Sequence, residues 1–194
     1  MKDLSPIAWA LRPFKRYADF SGRSSRAEFW WFWLFVMVIW MIVYFAMIGS
    51  LFGAGMSQTA PSAGMVGAMG VVGILLLLFW VGILIPSIAV QVRRLHDINR
   101  SGWWLGGFYL VYALYFVLLF GMLGAQMTAA MAGGGAPDPS QSFGPIFVVT
   151  MIVGLAMLIY AVALLVFYCQ PGTTGDNRYG PDPYAPGNLE EVFG

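Results

Sequence analysis

The feature that most constrains this chain is a series of four long apolar runs, each free of charged residues in its interior. A helix rises about 1.5 Å per residue, so roughly 20 apolar residues cross a hydrocarbon core of about 30 Å. Lipid offers the backbone no hydrogen-bond partners, and the runs lack the alternation of barrel strands, so each run must be a helix. The predicted spans are residues 29–53, 66–90, 103–123 and 143–168.

Composition agrees with a membrane protein. Of 194 residues, 59% are apolar and 10% are charged, whereas soluble domains are about 45–50% apolar and about 25% charged. The length suits one integral-membrane domain over residues 1–194. A net charge of +1 gives no overall field for holding nucleic acid, and the single cysteine, Cys169, excludes an internal disulfide and a multi-cysteine metal site. We therefore expect no cofactor and no nucleic-acid partner.

Basic residues are confined to one side of the predicted bundle. All ten lysines and arginines lie before the first span, between spans two and three, or after span four, while the connections 54–65 and 124–142 contain none. Membrane proteins keep positively charged loops in the cytoplasm. We therefore expect both termini and the loop 91–102 to be cytoplasmic.

A short amphipathic helix is predicted before the first span. Ser5-Pro6 is typical of an N-cap followed by proline at the first helical position. Apolar residues then recur at helical spacing from Ile7 to Ala18, with basic residues between them. Two placements remain open: along the inner membrane surface with Trp9 near the headgroups, or packed on other cytoplasmic segments.

Three motifs stand on the basic side of the bundle. Residues 20–32 read FSGRSSRAEFWWF, residues 93–104 read RRLHDINRSGWW, and residues 171–183 read PGTTGDNRYGPDP. Together, around four spans, they closely resemble the domain-of-unknown-function family 805, small multi-pass inner-membrane proteins of bacteria. The resemblance covers the chain from about Leu11 to Tyr184. It implies a location and an architecture but no reaction.

Several motif residues have an architectural explanation. Ser25 and Glu28 fit a capping box, in which the serine oxygen accepts the N–H of Glu28 and the glutamate can reach back. Tryptophans at the start of spans one and three are typical of interfacial anchors, and glycines and prolines predict that the third motif is a compact loop. The residues assigned to the architecture are Gly22, Ser25, Glu28, Gly102, Trp103, Gly175, Asn177, Tyr179, Gly180 and Pro181. The predicted fold is an all-α membrane protein with four transmembrane helices, an N-terminal interfacial helix and a cytoplasmic cap of loops.

The charges of the motifs can satisfy one another. If span two stays helical past residue 91, Arg93 and Asp97 are one turn apart, so we expect them to pair and Arg94 to remain available for another partner. The simplest use of the remaining charges is an acidic C-terminal segment, including Glu190 and Glu191, that folds onto the basic loops.

The alternative use is a site for a phosphate-bearing ligand on the inner face. Arginine suits phosphate because its planar fork donates two hydrogen bonds at once, and basic pockets between helices hold anionic headgroups. We therefore predict a binding or scaffolding module whose partners are membrane lipids, another membrane protein or a second copy of the chain. The predicted ligand-binding residues are Arg23, Arg26, Arg93, Arg94, His96, Asp97, Asn99, Arg100 and Arg178.

Two further classes of function stay open. A membrane-embedded hydrolase would use His96, the only histidine, as a general base together with Asp97. The sequence has no recognisable nucleophile motif, zinc-protease motif or phosphate-binding glycine loop, so we assign no catalytic residue and no metal. A small transporter or channel subunit is the other class. Coupled transporters commonly carry ionisable groups within the membrane, and the four predicted spans have none in their middle.

Overall fold

The described part of the chain is helical. The computed structural model describes residues 4–56, 63–131 and 144–184. Its helices are α1 (Pro6–Lys15), α2 (Arg26–Met56), α3 (Ala63–Asp97), α4 (Trp103–Met131) and α5 (Pro145–Cys169). Within the described residues, an isolated bridge joins Asn177 and Gly180. The predicted all-α membrane fold is confirmed.

Four of the helices are long and apolar enough to cross a membrane. The membrane-length segments are Arg26–Gly49, Gly70–Asp97, Trp103–Thr128 and Pro145–Cys169, with mean hydropathies between 2.0 and 2.7. They correspond to the four predicted spans. The largest difference is in α3, which was predicted to leave the membrane at residue 90 but stays helical to Asp97. It continues because its last charged side chains find partners inside the protein.

The described residues divide into two compact units. The first contains the residues up to Asn99 together with those from Pro171 onward, and the second is the hairpin of α4 and α5 within Arg100–Gln170. The single domain over residues 1–194 stays a prediction. The connection 54–65 and most of 124–142, with Glu190 and Glu191, lie outside the described residues.

In the first unit, α1 packs against α2 and α3. Ser5 caps the helix as predicted, because its Oγ accepts the N–H of Ala8 at 3.2 Å. One side of α1 buries Trp9, Ala10 and Pro13. Of the two placements that the sequence left open, the packed one accounts for Trp9, which lies against the protein rather than among headgroups.

In the second unit, glycines bring α4 and α5 close together. The ring of Tyr160 lies over Gly107, where an added Cβ would come within 2.6 Å of the tyrosine oxygen. Tyr160 donates its hydroxyl hydrogen to the carbonyl of Trp104 at 2.7 Å. Gly154 lies in the same way against the ring of Tyr115. Small residues at helix interfaces allow this approach, and van der Waals packing then holds the helices together in lipid.

Candidate functional site

The first motif begins α2 and carries an acidic side chain into the protein. The capping box is confirmed in one half, since the N–H of Glu28 donates to Ser25 Oγ at 3.2 Å. The Glu28 carboxylate turns to arginines instead. Its Oε1 lies 3.2 Å from Arg93 Nη2, and its Oε2 lies 3.8 Å from Arg12 Nη1. The glutamate that starts a membrane span is thus neutralised by α3 and α1.

Asp97 holds two further arginines at the end of α3. Its Oδ1 accepts from Arg23 Nε and lies 3.0 Å from Arg23 Nη2, while Oδ2 accepts from Arg94 Nη1. The expected pair of Arg93 and Asp97 is therefore wrong. Helical spacing allowed it, but Glu28 of α2 takes Arg93, and Arg94 at i−3 reaches Asp97 instead.

These residues form a buried arginine–carboxylate cluster, the name used here for Arg23, Glu28, Arg93, Arg94 and Asp97. Every side chain in it is exposed by 1% or less. Charges in such surroundings persist only when they are paired and hydrogen-bonded. The cluster meets that condition through its ion pairs and through backbone carbonyls, among them Asp19 O, which accepts from Arg93.

The end of α3 draws the other motifs onto itself because its last carbonyls lack intrahelical donors. The N–H of Ser24 donates to Arg93 O at 3.1 Å. Thr173 donates to Asp97 O from both its backbone N–H, at 2.9 Å, and its hydroxyl, at 3.0 Å. Asn177 Nδ2 donates to His96 O at 3.0 Å. The first and third motifs therefore meet at one helix end.

The C-terminal segment, residues 171–184, is fitted closely to this end. Gly172 has no space for a side chain, because an added Cβ would overlap the Asp97 carboxylate. Arg23 donates to the carbonyls of Thr173 and Gly175. Gly180 has a φ of 138°, and it closes a tight turn with Asn177 through N–H to carbonyl bonds of 3.0 and 3.1 Å. The compact loop predicted for the third motif is what the structure contains.

His96 is held by aromatic stacking and a backbone carbonyl. Its ring lies parallel to that of Tyr179, with centroids 3.8 Å apart and planes 3° apart. Nδ1 lies 3.2 Å from the carbonyl oxygen of Gly22, which accepts a bond from the Nδ1–H tautomer. Gly22 has a φ of 72°, which favours glycine there. Among the described residues, no three His, Cys, Asp or Glu side chains are grouped as a metal site requires.

The remaining predicted ligand residues lie at the surface. Arg26, Asn99, Arg100 and Arg178 are exposed. Arg178 donates to the carbonyl of Asn99 at 3.2 Å and lies over the ring of Tyr179 at 4.7 Å. Arg100, in the second unit, lies 5.0 Å from the ring of Phe167. The nine predicted residues thus separate into a buried set around Asp97 and an exposed set.

Asp19 fixes the turn between α1 and α2. Burial alone would raise its pKa, but hydrogen bonds from Ser21 and Arg16 outweigh that effect and hold the pKa at about 2. The carboxylate accepts Arg16 Nη2 at 2.6 Å and the N–H of Ser21 at 2.9 Å. The ordered turn then presents the Asp19 carbonyl to Arg93.

The sequence analysis did not assign Arg12, Asp19, Gly172 or Thr173 to the site. Gly172 and Thr173 stand in the third motif, and a helix end that needs donors was the signal that could have found Thr173. Arg12 and Asp19 carry no comparable local signal, because their partners lie on other segments.

Comparison with known proteins gives the chain its relatives. Residues 17–181 match the family described as "Protein of unknown function (DUF805)". The chain is 30% identical over 175 residues to "Inner membrane protein YhaH" of Escherichia coli strain K12, covering 90% of this chain and 95% of that protein. It is 27% identical over 177 residues to "Inner membrane protein YhaI" of the same strain, covering 91% and 96%. No solved structure matches. The chain belongs to the DUF805 family and is a multi-pass inner-membrane protein.

Proposed function

We propose that the protein is a binding or scaffolding module of the inner leaflet, in which buried arginines build the scaffold and exposed arginines bind anionic lipid headgroups. The observation that carries the proposal is the burial of Arg23, Arg93 and Arg94, each against a carboxylate of the same chain. A guanidinium engaged in this way serves the fold. The headgroup contacts therefore fall to the exposed arginines.

The scaffold is the arginine–carboxylate cluster together with the C-terminal segment. It joins segments far apart in sequence, since Arg23 and Thr173 both bond to Asp97. Removing one member of a buried pair leaves an uncompensated charge, which costs about 3–5 kcal/mol. A cluster of this kind keeps the end of α3 in one arrangement and supports a stable surface around it.

The headgroup contacts are Arg26 and Arg178 in the first unit and Arg100 in the second, each exposed at its own position. Arg26 and Arg100 stand at the starts of α2 and α4, where the chain enters the membrane. Trp103, which is 85% exposed beside Arg100, is typical of an interfacial anchor. A basic residue near an anionic leaflet contributes about 1 kcal/mol.

Lipid binding by the full-length protein tests this assignment. Native mass spectrometry would compare phosphatidylglycerol with phosphatidylcholine for the wild type and for Arg26→Gln/Arg100→Gln/Arg178→Gln. We expect the wild type to prefer phosphatidylglycerol and the triple variant to lose up to roughly a hundredfold of that preference. The matched Arg→Lys triple variant keeps the charge and loses the planar fork, so it separates simple attraction from bidentate binding. A triple Gln variant that keeps the wild-type preference would contradict the proposal.

The proposed orientation places both termini and the arginine-rich helix ends in the cytoplasm. The single cysteine provides the test, because Cys169 is exposed at the end of α5. We expect an impermeant thiol reagent to label it in inside-out vesicles and not in intact spheroplasts. Labelling from the periplasmic side would reverse the orientation.

A further inference from the structure

The outer side of α1 carries an apolar ridge that the protein leaves uncovered. Ile7 and Leu11 are one turn apart on the same side of the helix and are 71% and 42% exposed. Lys15 follows one turn later and is also exposed. We call these three residues the α1 ridge. The rest of the apolar side, with Trp9 and Pro13, is buried against the protein.

Aromatic contacts place α1 beside the first turns of the α2 span. Phe14 packs edge-on against Phe32 and Phe35, with ring centroids 5.5 and 6.1 Å away. Phe35 comes nine residues after Arg26, which corresponds to about 14 Å along a helix. Helix α1 therefore lies alongside the segment of α2 that enters the membrane.

Exposed apolar side chains on α2 show which medium surrounds the chain at this level. Trp33 and Leu34 flank the buried Phe32 and the partly covered Phe35, and they are 50% and 42% exposed. In a membrane span such side chains face lipid. The α1 ridge continues this lipid-facing surface, and its lysine stands where a long basic side chain extends from the apolar region toward phosphate groups.

We propose that the α1 ridge inserts into the membrane leaflet on the side of the α2 N-terminus, with lipid as its occupant. Ile7 and Leu11 lie among the upper parts of the acyl chains, and Lys15 lies among anionic headgroups. Helix α1 is then a wedge between protein and lipid, with one side packed on α2 and α3 and the other in the leaflet. This role depends on apolar insertion and does not require the headgroup contacts of Arg26, Arg100 and Arg178.

Spin labels on the full-length protein in phosphatidylglycerol-containing bilayers test the proposal. With Cys169→Ser as the background, labels at Ile7→Cys and Leu11→Cys report collision with oxygen, which concentrates in lipid, and with a nickel chelate, which stays in water. We expect both ridge labels to favour oxygen several-fold over a label at Thr174→Cys, an exposed position on the C-terminal segment. A nickel accessibility at position 7 equal to that at position 174 would overturn the proposal.

Two further readings keep the outcome unambiguous. A ridge covered by a second protein copy would give immobilised labels protected from both reagents, which also overturns the proposal. The variant Ile7→Asn/Leu11→Asn should unfold at the wild-type temperature in detergent, because the ridge makes no part of the buried packing, yet it should lose the preference for oxygen at a label on Lys15→Cys. If that label keeps its preference, the ridge is not what places α1 in lipid.

Discussion

The polar end of the first unit and the helical hairpin of the second are held together by different physics. In the first unit, a few charged side chains and carbonyl caps join α2, α3 and the C-terminal segment at Asp97. In the second unit, α4 and α5 meet through rings, glycines and one hydroxyl-to-carbonyl bond from Tyr160. The first arrangement concentrates its free energy in few residues. The second distributes it over many apolar contacts that are individually small.

The difference concerns how each region can fail. Loss of one member of a buried ion pair leaves another charge unpaired in a medium that cannot solvate it. Loss of one apolar contact in a lipid-embedded hairpin leaves a gap that lipid or a neighbouring side chain can partly fill. We therefore expect single substitutions to have larger effects at the charged end than in the hairpin.

The largest effect is expected for Asp97→Asn. The substitution leaves Arg23 and Arg94 buried without their carboxylate, which should lower the free energy of unfolding by about 3–5 kcal/mol. Thermal unfolding in detergent measures it. The matched control is Asp176→Asn, an exposed acid on the C-terminal segment, with an expected change within about 0.5 kcal/mol. Equal effects of the two variants would mean that the buried cluster does not stabilise the unit.

A smaller effect is expected for Gly172→Ala. The new methyl group would displace the C-terminal segment from the Asp97 carboxylate, an overpacking cost of about 1–3 kcal/mol. Gly175→Ala is the control for backbone strain, since Gly175 has a φ of 74° but open space around it, and it should cost about 1 kcal/mol. Trypsin cleavage after Arg178 reports release of the segment. Faster cleavage in Gly175→Ala than in Gly172→Ala would show that strain, not fit, holds it.

The smallest effect is expected in the hairpin. Gly107→Ala should push Tyr160 away from the Trp104 carbonyl and cost about 1 kcal/mol, the value of one hydrogen bond. Tyr160→Phe removes the same bond and should cost about as much. Because both changes act on one contact, the double variant should be no less stable than either single variant. Additive losses in thermal unfolding would show that the close approach of Gly107 matters independently of the bond.

Much of the fold could be predicted from the sequence because membrane helices are specified locally. The four spans, the Ser5 cap of α1 and the Ser25 cap of α2 depend on residues within one segment, and the structure contains all of them. The candidate site was only partly predictable. Its residue types and their gathering in three motifs were visible, but the partner of Arg93 was not, since Glu28 and Asp97 were both available by charge.

The sequence by itself determined that the chain crosses a membrane four times, because uncharged runs of that length have no other stable state in lipid. Only the tertiary structure decided which arginines are buried and which stay exposed. That choice depends on which carboxylates and carbonyls come within hydrogen-bond distance when α3, the turn before α2 and the C-terminal segment meet. Such distances follow from packing between remote segments, so no local pattern could specify them.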